Sequence, residues 1–383
     1  MKILIVHGGG PTAVLNSSLY GVITEANKHR DVEVYAAKQG FSGILNEQFI
    51  ALSGIEQAQL KKLLVTPGSV IGSSRDVVKH ADYEKATQIL LKNGFEHVLF
   101  NGGNGTMDTA GKIGEISNGR IKVIGIPKTV DNDLSVIDHA PGFASAANFI
   151  AHSTKEIGED IKSLPIHVSI IEVMGRNVGW LTAASALAKK DVGDAPHLIY
   201  LPEVAFDEEV FLADITEQLK HQSGVVVVVS EGLKNTAGEP LAPPILKTDR
   251  AIYFGDVGTH LAQLVISELG YKARSEKLGL FTRAAVKYIS DVDRTEAIEV
   301  GKRAVQALLQ GDSQQMVGIM RDEQDTYCVT YPLIPLERVM LEEKQLPRQF
   351  MNEQKNGVSQ SFIDWCKPLI DEELTDFFKL EER

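Results

Sequence analysis

Short apolar runs alternate with longer, helix-periodic segments along most of this chain. The runs at 3–6, 32–36, 98–100, 121–126, 168–173, 198–201 and 225–229 are rich in Val, Ile and Leu. Apolar residues at successive positions suit strands buried on both faces, as in parallel sheets. Between them, 14–28, 107–116, 144–161 and 177–190 have helix length and spacing. The alternation predicts βαβ units and a doubly wound α/β architecture. Ligands of such sheets bind beyond the carboxyl ends of the strands. The glycine clusters fall there: Gly8, Gly9 and Gly10, then Gly102 and Gly103, then Gly232 after Ser230 and Glu231. The segment 239–248 holds three of the 14 prolines and reads as a connecting loop. The stretch after about 335 mixes charge with Phe350, Phe362, Trp365 and Phe377 and reads as a packed helical tail.

At 383 residues the chain has room for two domains. Its 43% hydrophobic and 23% charged residues fit a water-soluble globular protein. The formal charge of −12 argues against general nucleic-acid binding, which needs a basic face, but leaves room for a local anion pocket. Cys328 and Cys366 are the only cysteines, so no disulfide framework or metal-ligand spacing is visible. The first apolar run is too short for a signal segment or a membrane span, so a cytoplasmic, non-membrane protein is expected.

The polar residues at the strand ends carry the chemistry. GGGPTAVLNSS (8–18) and GGNGT (102–106) each join a strand to a helix. Glycine lets the backbone approach an anion, and the helix start offers free N–H groups. Neither turn is a Walker A loop, and no GxGxxG with a downstream acid is present. IPKTVDNDL (126–134) gathers Lys128, Thr129, Asp131, Asn132 and Asp133 at a third strand end. Deprotonating a sugar hydroxyl as it attacks phosphorus needs a positioned carboxylate. Arg176 in EVMGRNVGW, Arg75 in GSSRD, and Arg274 and Arg283 in ARSEKLGLFTR supply guanidinium groups on an acidic chain. Together they suit an anionic substrate.

In this order the motifs KTVDND, EVMGR, GGNGT, GSSR and SEG (230–232) resemble the phosphofructokinase superfamily, from residue 3 to about 290. The resemblance implies two Rossmann-like lobes with the site in the cleft between them. It also implies phosphoryl transfer to O1 of fructose 6-phosphate, Mg²⁺ as cofactor, and a homodimer or homotetramer joined on the sugar-phosphate side. The implied donor-phosphate lobe is 1–140 plus about 256–305. The sugar-phosphate lobe is 141–255 plus about 306–335, and 336–383 is the tail. Carried over by position, Asp131 is the base, with Thr129 and Asp133 beside it. Lys128, Arg176 and Arg75 stabilise the transferring phosphoryl group. Gly9, Gly10, Gly103, Asn104, Gly105 and Thr106 hold the donor phosphates. His167, Met174, Gly175, Glu231, Arg274 and Arg283 join Thr129, Asp131, Asp133 and Arg176 at the sugar phosphate.

Four positions depart from the family pattern. Asn104 replaces an Asp that helps organise Mg²⁺, leaving a water-mediated contact to the metal. His167 replaces an Arg, Leu280 replaces a His, and Ala284-Ala285 replace Gly-Gly. The last three leave open a different anionic ketose, such as a sulfonated fructose, and Asn104, His167 and Leu280 leave open a non-catalytic sugar-phosphate sensor. The donor turns on two residues. Gly105 stands where the pyrophosphate branch carries an Asp that repels nucleotide, whereas Lys128 matches that branch. Gly105 acts directly on nucleotide access, so ATP is the expected donor and pyrophosphate the alternative.

Overall fold

The computed structural model describes residues 1–164, 167–247, 252–322, 326–340, 343–370 and 374–378. The elements that position the functional residues run, in chain order, β1 (Lys2–His7), β2 (Glu33–Ala37), β3 (Phe49–Ala51), β4 (His97–Gly102), α1 (Asn104–Ile116), β5 (Lys122–Pro127), α2 (Phe143–Ser163), β6 (Val168–Val173), β7 (Leu198–Tyr200), β8 (Val225–Ser230), β9 (Ala273–Lys277), α3 (Asp291–Gln310), β10 (Gln315–Val317) and β11 (Leu333–Pro335).

The chain divides into two compact units, one of residues 1–146 and 280–345, the other of 147–279 and 346–383. The first holds a seven-stranded sheet in the order β11-β10-β5-β4-β1-β2-β3. Its five central strands are parallel, and β3 and β11 run antiparallel at the edges. Strand side chains alternate between faces. Leu4 and Val6 therefore enter one core layer and Ile3 and Ile5 the other. The second unit holds a four-stranded parallel sheet, β9-β6-β8-β7. Every residue of β6 and β8 is buried, as a sheet covered on both faces requires.

Several elements differ from the sequence reading. The expected helix over 177–190 is only Trp180–Ala184, continued by a 3₁₀ turn over Ser185–Ala188. Within it, the Ser185 hydroxyl donates to the carbonyl of Thr182 at 2.6 Å, a local bond that competes with helix propagation. The expected loop 239–248 contains a strand, Pro244–Lys247, paired antiparallel with Ile252–Phe254. Thr248 lies outside the described residues. The expected lobe boundaries also shift. Residues 256–279 fall in the second unit because β9 pairs with β6, and 306–335 fall in the first because β10 pairs with β5.

The tail divides too, since 336–345 belong to the first unit and 346–383 to the second. Its main helix is the short Gln360–Cys366. Trp365 packs 4.9 Å from the Trp180 ring, and Phe350 and Phe362 complete the aromatic cluster. Among the described residues no helix is long and apolar enough to cross a membrane.

Candidate active site

In the first unit, the carboxyl ends of β1, β4 and β5 bring three motifs together. His7 pairs with Asn101 and Gly102 with Pro127, so the turns that follow stand side by side. The GSSR segment joins them: the Gly9 N–H donates to Ser74 O at 2.9 Å, and the Ser73 hydroxyl to Gly9 O at 2.7 Å. Thr106 packs over this junction. A methyl group added at Gly8 or Gly102 would lie 2.3 or 2.1 Å from its Oγ1.

Lys128 is buried, with its ammonium donating to the carbonyl of Gly10 at 2.7 Å. Two arginines reach the same glycine. A Cβ there would stand 2.5 Å from Arg283 Nη1 and 2.8 Å from Arg75 Nη2. Burial pulls Lys128 down to a pKa of about 8; Asp133 and Asp131 oppose the shift, while Arg75 and Arg283 add to it. Burial, then the like charge of Arg75, also lowers the pKa of Arg283, with Asp131 opposing. Three cations around one glycine turn repel one another. A bound anion relieves that repulsion and gains charge-assisted hydrogen bonds.

The DND segment stands beside this nest. The Asp131 N–H donates to Thr129 Oγ1 at 3.1 Å. Asn132 takes a left-handed conformation at φ 55°, and its Oδ1 accepts the Ala140 N–H at 3.1 Å. Asn104 is tied to Asp133: its Nδ2 lies 3.2 Å from the Asp133 carbonyl and 3.4 Å from Oδ2. That leaves Asn104 Oδ1 and Asp133 Oδ1 buried without a hydrogen-bond partner. Two such oxygens suit a hard divalent cation that keeps most of its waters. Among the described residues no cluster of three or more His, Cys, Asp or Glu side chains is arranged to hold a metal unaided. Gly105 faces open space.

In the second unit, Met174, Gly175 and Arg176 follow β6. Gly175 adopts φ 124°, closed to other residues, and its carbonyl accepts from the Ser230 hydroxyl at 2.5 Å. The Gly232 backbone lies against the Arg176 carbonyl, with no room for a side chain. Burial raises the pKa of Glu231, with Arg176 opposing the shift. Glu172 stands on β6, two residues before Met174. It is buried, accepts the Gly258 N–H at 2.8 Å and pairs with Lys277 at 2.9 Å.

Two expected sugar-phosphate residues stand elsewhere. His167 precedes β6, and Arg274 pairs in register with Ser169, so both lie at the amino end of that sheet. About 20 Å of strand separates that end from Met174. His167 packs 5.3 Å from the Tyr271 ring, and Arg274 pairs with Glu276 at 2.5 Å. Arg283, expected at the sugar phosphate, stands with Arg75 beside Gly10. The sequence reading missed His7 altogether. It is fully buried behind the turn, with Nδ1 2.8 Å from Ser69 Oγ, and burial and Lys128 push its pKa down to about 3. Its place one residue before the glycines was the available signal.

Residues 2–308 match the family described as Phosphofructokinase. The chain is 36% identical to a pyrophosphate–fructose 6-phosphate 1-phosphotransferase of Rhodospirillum rubrum, covering 100% of this chain and 97% of that protein. It is 32% identical to a sulfofructose kinase of Alkalicoccus urumqiensis, covering 97% and 96%. The solved structure of a pyrophosphate-dependent phosphofructokinase from Marinobacter aquaeolei superposes with a TM-score of 0.88 at 34% identity, covering 99% and 93%. These likenesses overturn ATP as the expected donor, because the full-length matches at 36% and 34% identity are pyrophosphate-dependent. The error lay in weighing the missing carboxylate at Gly105 above Lys128, which the fold buries against the Gly10 carbonyl.

Proposed function

The chain belongs to the phosphofructokinase family, and from that premise we propose that it transfers a phosphoryl group from pyrophosphate to O1 of fructose 6-phosphate. The observation that carries the donor is the nest of Lys128, Arg75 and Arg283 around Gly10. Pyrophosphate offers a protein little beyond dense negative charge, and three cations at one turn answer that chemistry. Asp131 accepts the O1 proton as the oxygen attacks. Lys128, Arg75 and Arg283 hold the donor and take up charge on the transferring group, in keeping with catalysis by positioning and electrostatics. Mg²⁺ would be held through Asp133 Oδ1 and Asn104 Oδ1, where it would neutralise phosphate charge when bound. Arg176, Met174, Gly175 and Glu231, all in the second unit, are the expected sugar-phosphate residues. His167 and Arg274, at the far end of that unit's sheet, serve the sugar phosphate of a second copy in a homo-oligomer.

A coupled assay of fructose 6-phosphate with each donor tests this reading. Product is expected with pyrophosphate, and product with ATP alone overturns it. A second reading keeps the donor and changes the acceptor to a sulfonated fructose. It draws on the sulfofructose kinase likeness and on Leu280, a 63% exposed apolar residue where the family places a His. A higher kcat/KM for the sulfonated ketose in the same assay selects it.

A further inference from the structure

The segment 129–142 carries Asp131 and Asp133 and closes on itself. Thr129 bridges to Gly142, its N–H donates to Pro141 O at 3.2 Å, and Asn132 staples the interior to Ala140. Behind it lies a buried charged cluster that phosphoryl transfer itself does not use. His139 is fully buried, with Nδ1 2.7 Å from Asp138 Oδ2 and Nε2 2.6 Å from Glu296 Oε2. An ionised carboxylate only accepts hydrogen bonds, so satisfying both contacts requires a proton on each ring nitrogen. The remaining charged neighbours complete the cluster, and the cations among them, Arg321 and Lys344, oppose the charge on the ring. Arg321 lies 3.2 Å from Asp138 and stacks on Tyr327, whose hydroxyl donates to Glu296 Oε1. Asp293, one turn before Glu296 on α3, accepts the N–H groups of Gly142 and Ser145 at 2.8 and 2.9 Å. From the other side, the Lys344 ammonium donates to the carbonyls of Ile137 and Asp138, and the Lys344 backbone N–H donates to Asp133 O at 2.9 Å.

We propose that the imidazolium of His139, held between Asp138 and Glu296, is a charged pin that positions the segment 129–142, and with it Asp131 and Asp133, for phosphoryl transfer. The catalytic part of this inference rests on the role given above to Asp131. His139 is a positioning residue and touches no substrate. Burial alone would drive its pKa down, but Glu296 and the hydrogen bonds to Asp138 and Glu296 outweigh burial and hold it at about 9.

Glu296→Gln is the variant of choice, because it keeps an acceptor for the ring N–H and removes the charge. Two readouts are needed, hydrogen–deuterium exchange of the full chain and steady-state kinetics with fructose 6-phosphate and pyrophosphate. Exchange is expected to rise ~10-fold in peptides from 129–142 and to stay unchanged in β1, β4 and β5. The kcat is expected to fall ~10–100-fold, with each KM moving less than about threefold. In the wild type, exchange of this segment, corrected for intrinsic base catalysis, should rise as pH passes about 9. Unchanged or uniformly raised exchange in the variant overturns the pin, as does local loosening with unaltered kcat. His139→Gln is the second variant should Glu296→Gln fold poorly, with the same expectations. If the wild type turns over no substrate, the functional reading fails, and the exchange comparison still decides whether His139 pins the segment.

Discussion

Lys128 shows how function and stability pull apart at one residue. Its folded-state pKa lies below the ordinary lysine value, so the charge it carries at neutral pH costs stability. The unfolded chain binds more protons between about 8 and 10.5, and stability from this group rises with pH across that window. Lys128→Met should therefore hold or raise the free energy of unfolding, by on the order of 1–2 kcal/mol, while raising the KM for pyrophosphate ~10-fold or more. Thermal melts paired with donor titrations check both halves; a large loss of stability would mean that the bond to Gly10 outweighs burial. Asn104 makes a second case. Replacing it with Asp sets a carboxylate against Asp133, where the amide now donates. Asn104→Asp should melt lower than wild type in chelator and gain more from added Mg²⁺, by about 1 kcal/mol of like-charge repulsion relieved. An equal Mg²⁺ shift in both proteins would reject this assignment. At this scale the sequence displayed which residue types gather at the strand ends. It did not display that Asn104 faces Asp133, or that Arg283 joins Arg75, because both pairings depend on side-chain directions across segments far apart in the chain.

The parallel strands were legible because burial on both faces leaves continuous Val and Ile runs, of which VVVVV at 225–229 is the clearest. Edge and charged strands were not. β9 reads ARSEK, and only its pairing with β6 marks it as a strand. The support of the site by α3 was hidden for a similar reason. Asp293 and Glu296 look like solvated helix charges, yet both are buried. Asp293 serves as a remote cap for the start of α2, accepting from Gly142 N–H, Ser145 N–H and the Ser145 hydroxyl. Asp293→Ala should cost ~2–4 kcal/mol, since it leaves two buried N–H groups unpaired. Burial nevertheless raises the Asp293 pKa to about 6. The folded state thus binds this proton more tightly, and the group's contribution to stability falls as pH rises from about 3.8 to 6. Urea midpoints across that range, wild type against Asp293→Asn, isolate the slope; equal slopes would show that the carboxyl titrates alike in both states.

For the molecule as a whole, both units and the interleaved path of the chain between them follow from the strand pairings. The exact divisions were not legible, because whether 256–279 and 306–335 join one sheet or the other depends on register. The placement of His167 and Arg274 at the amino end of β6 and β9 bears directly on assembly. If those residues complete the site of a second copy, no isolated chain holds a full site, and defects on opposite contributions should complement. Asp131→Ala alone should lower turnover ~10²–10⁴-fold. Arg274→Ala alone should raise the KM for the sugar phosphate ~10–100-fold, as loss of a charge-assisted contact does. In a two-fold symmetric pair, each mixed assembly carries one doubly damaged site and one intact site. Half of the random pairs are mixed, so reassociating equal amounts should restore about a quarter of wild-type activity. Recovery no greater than the sum of the two variants would place both contributions in one chain and remove the shared-site arrangement.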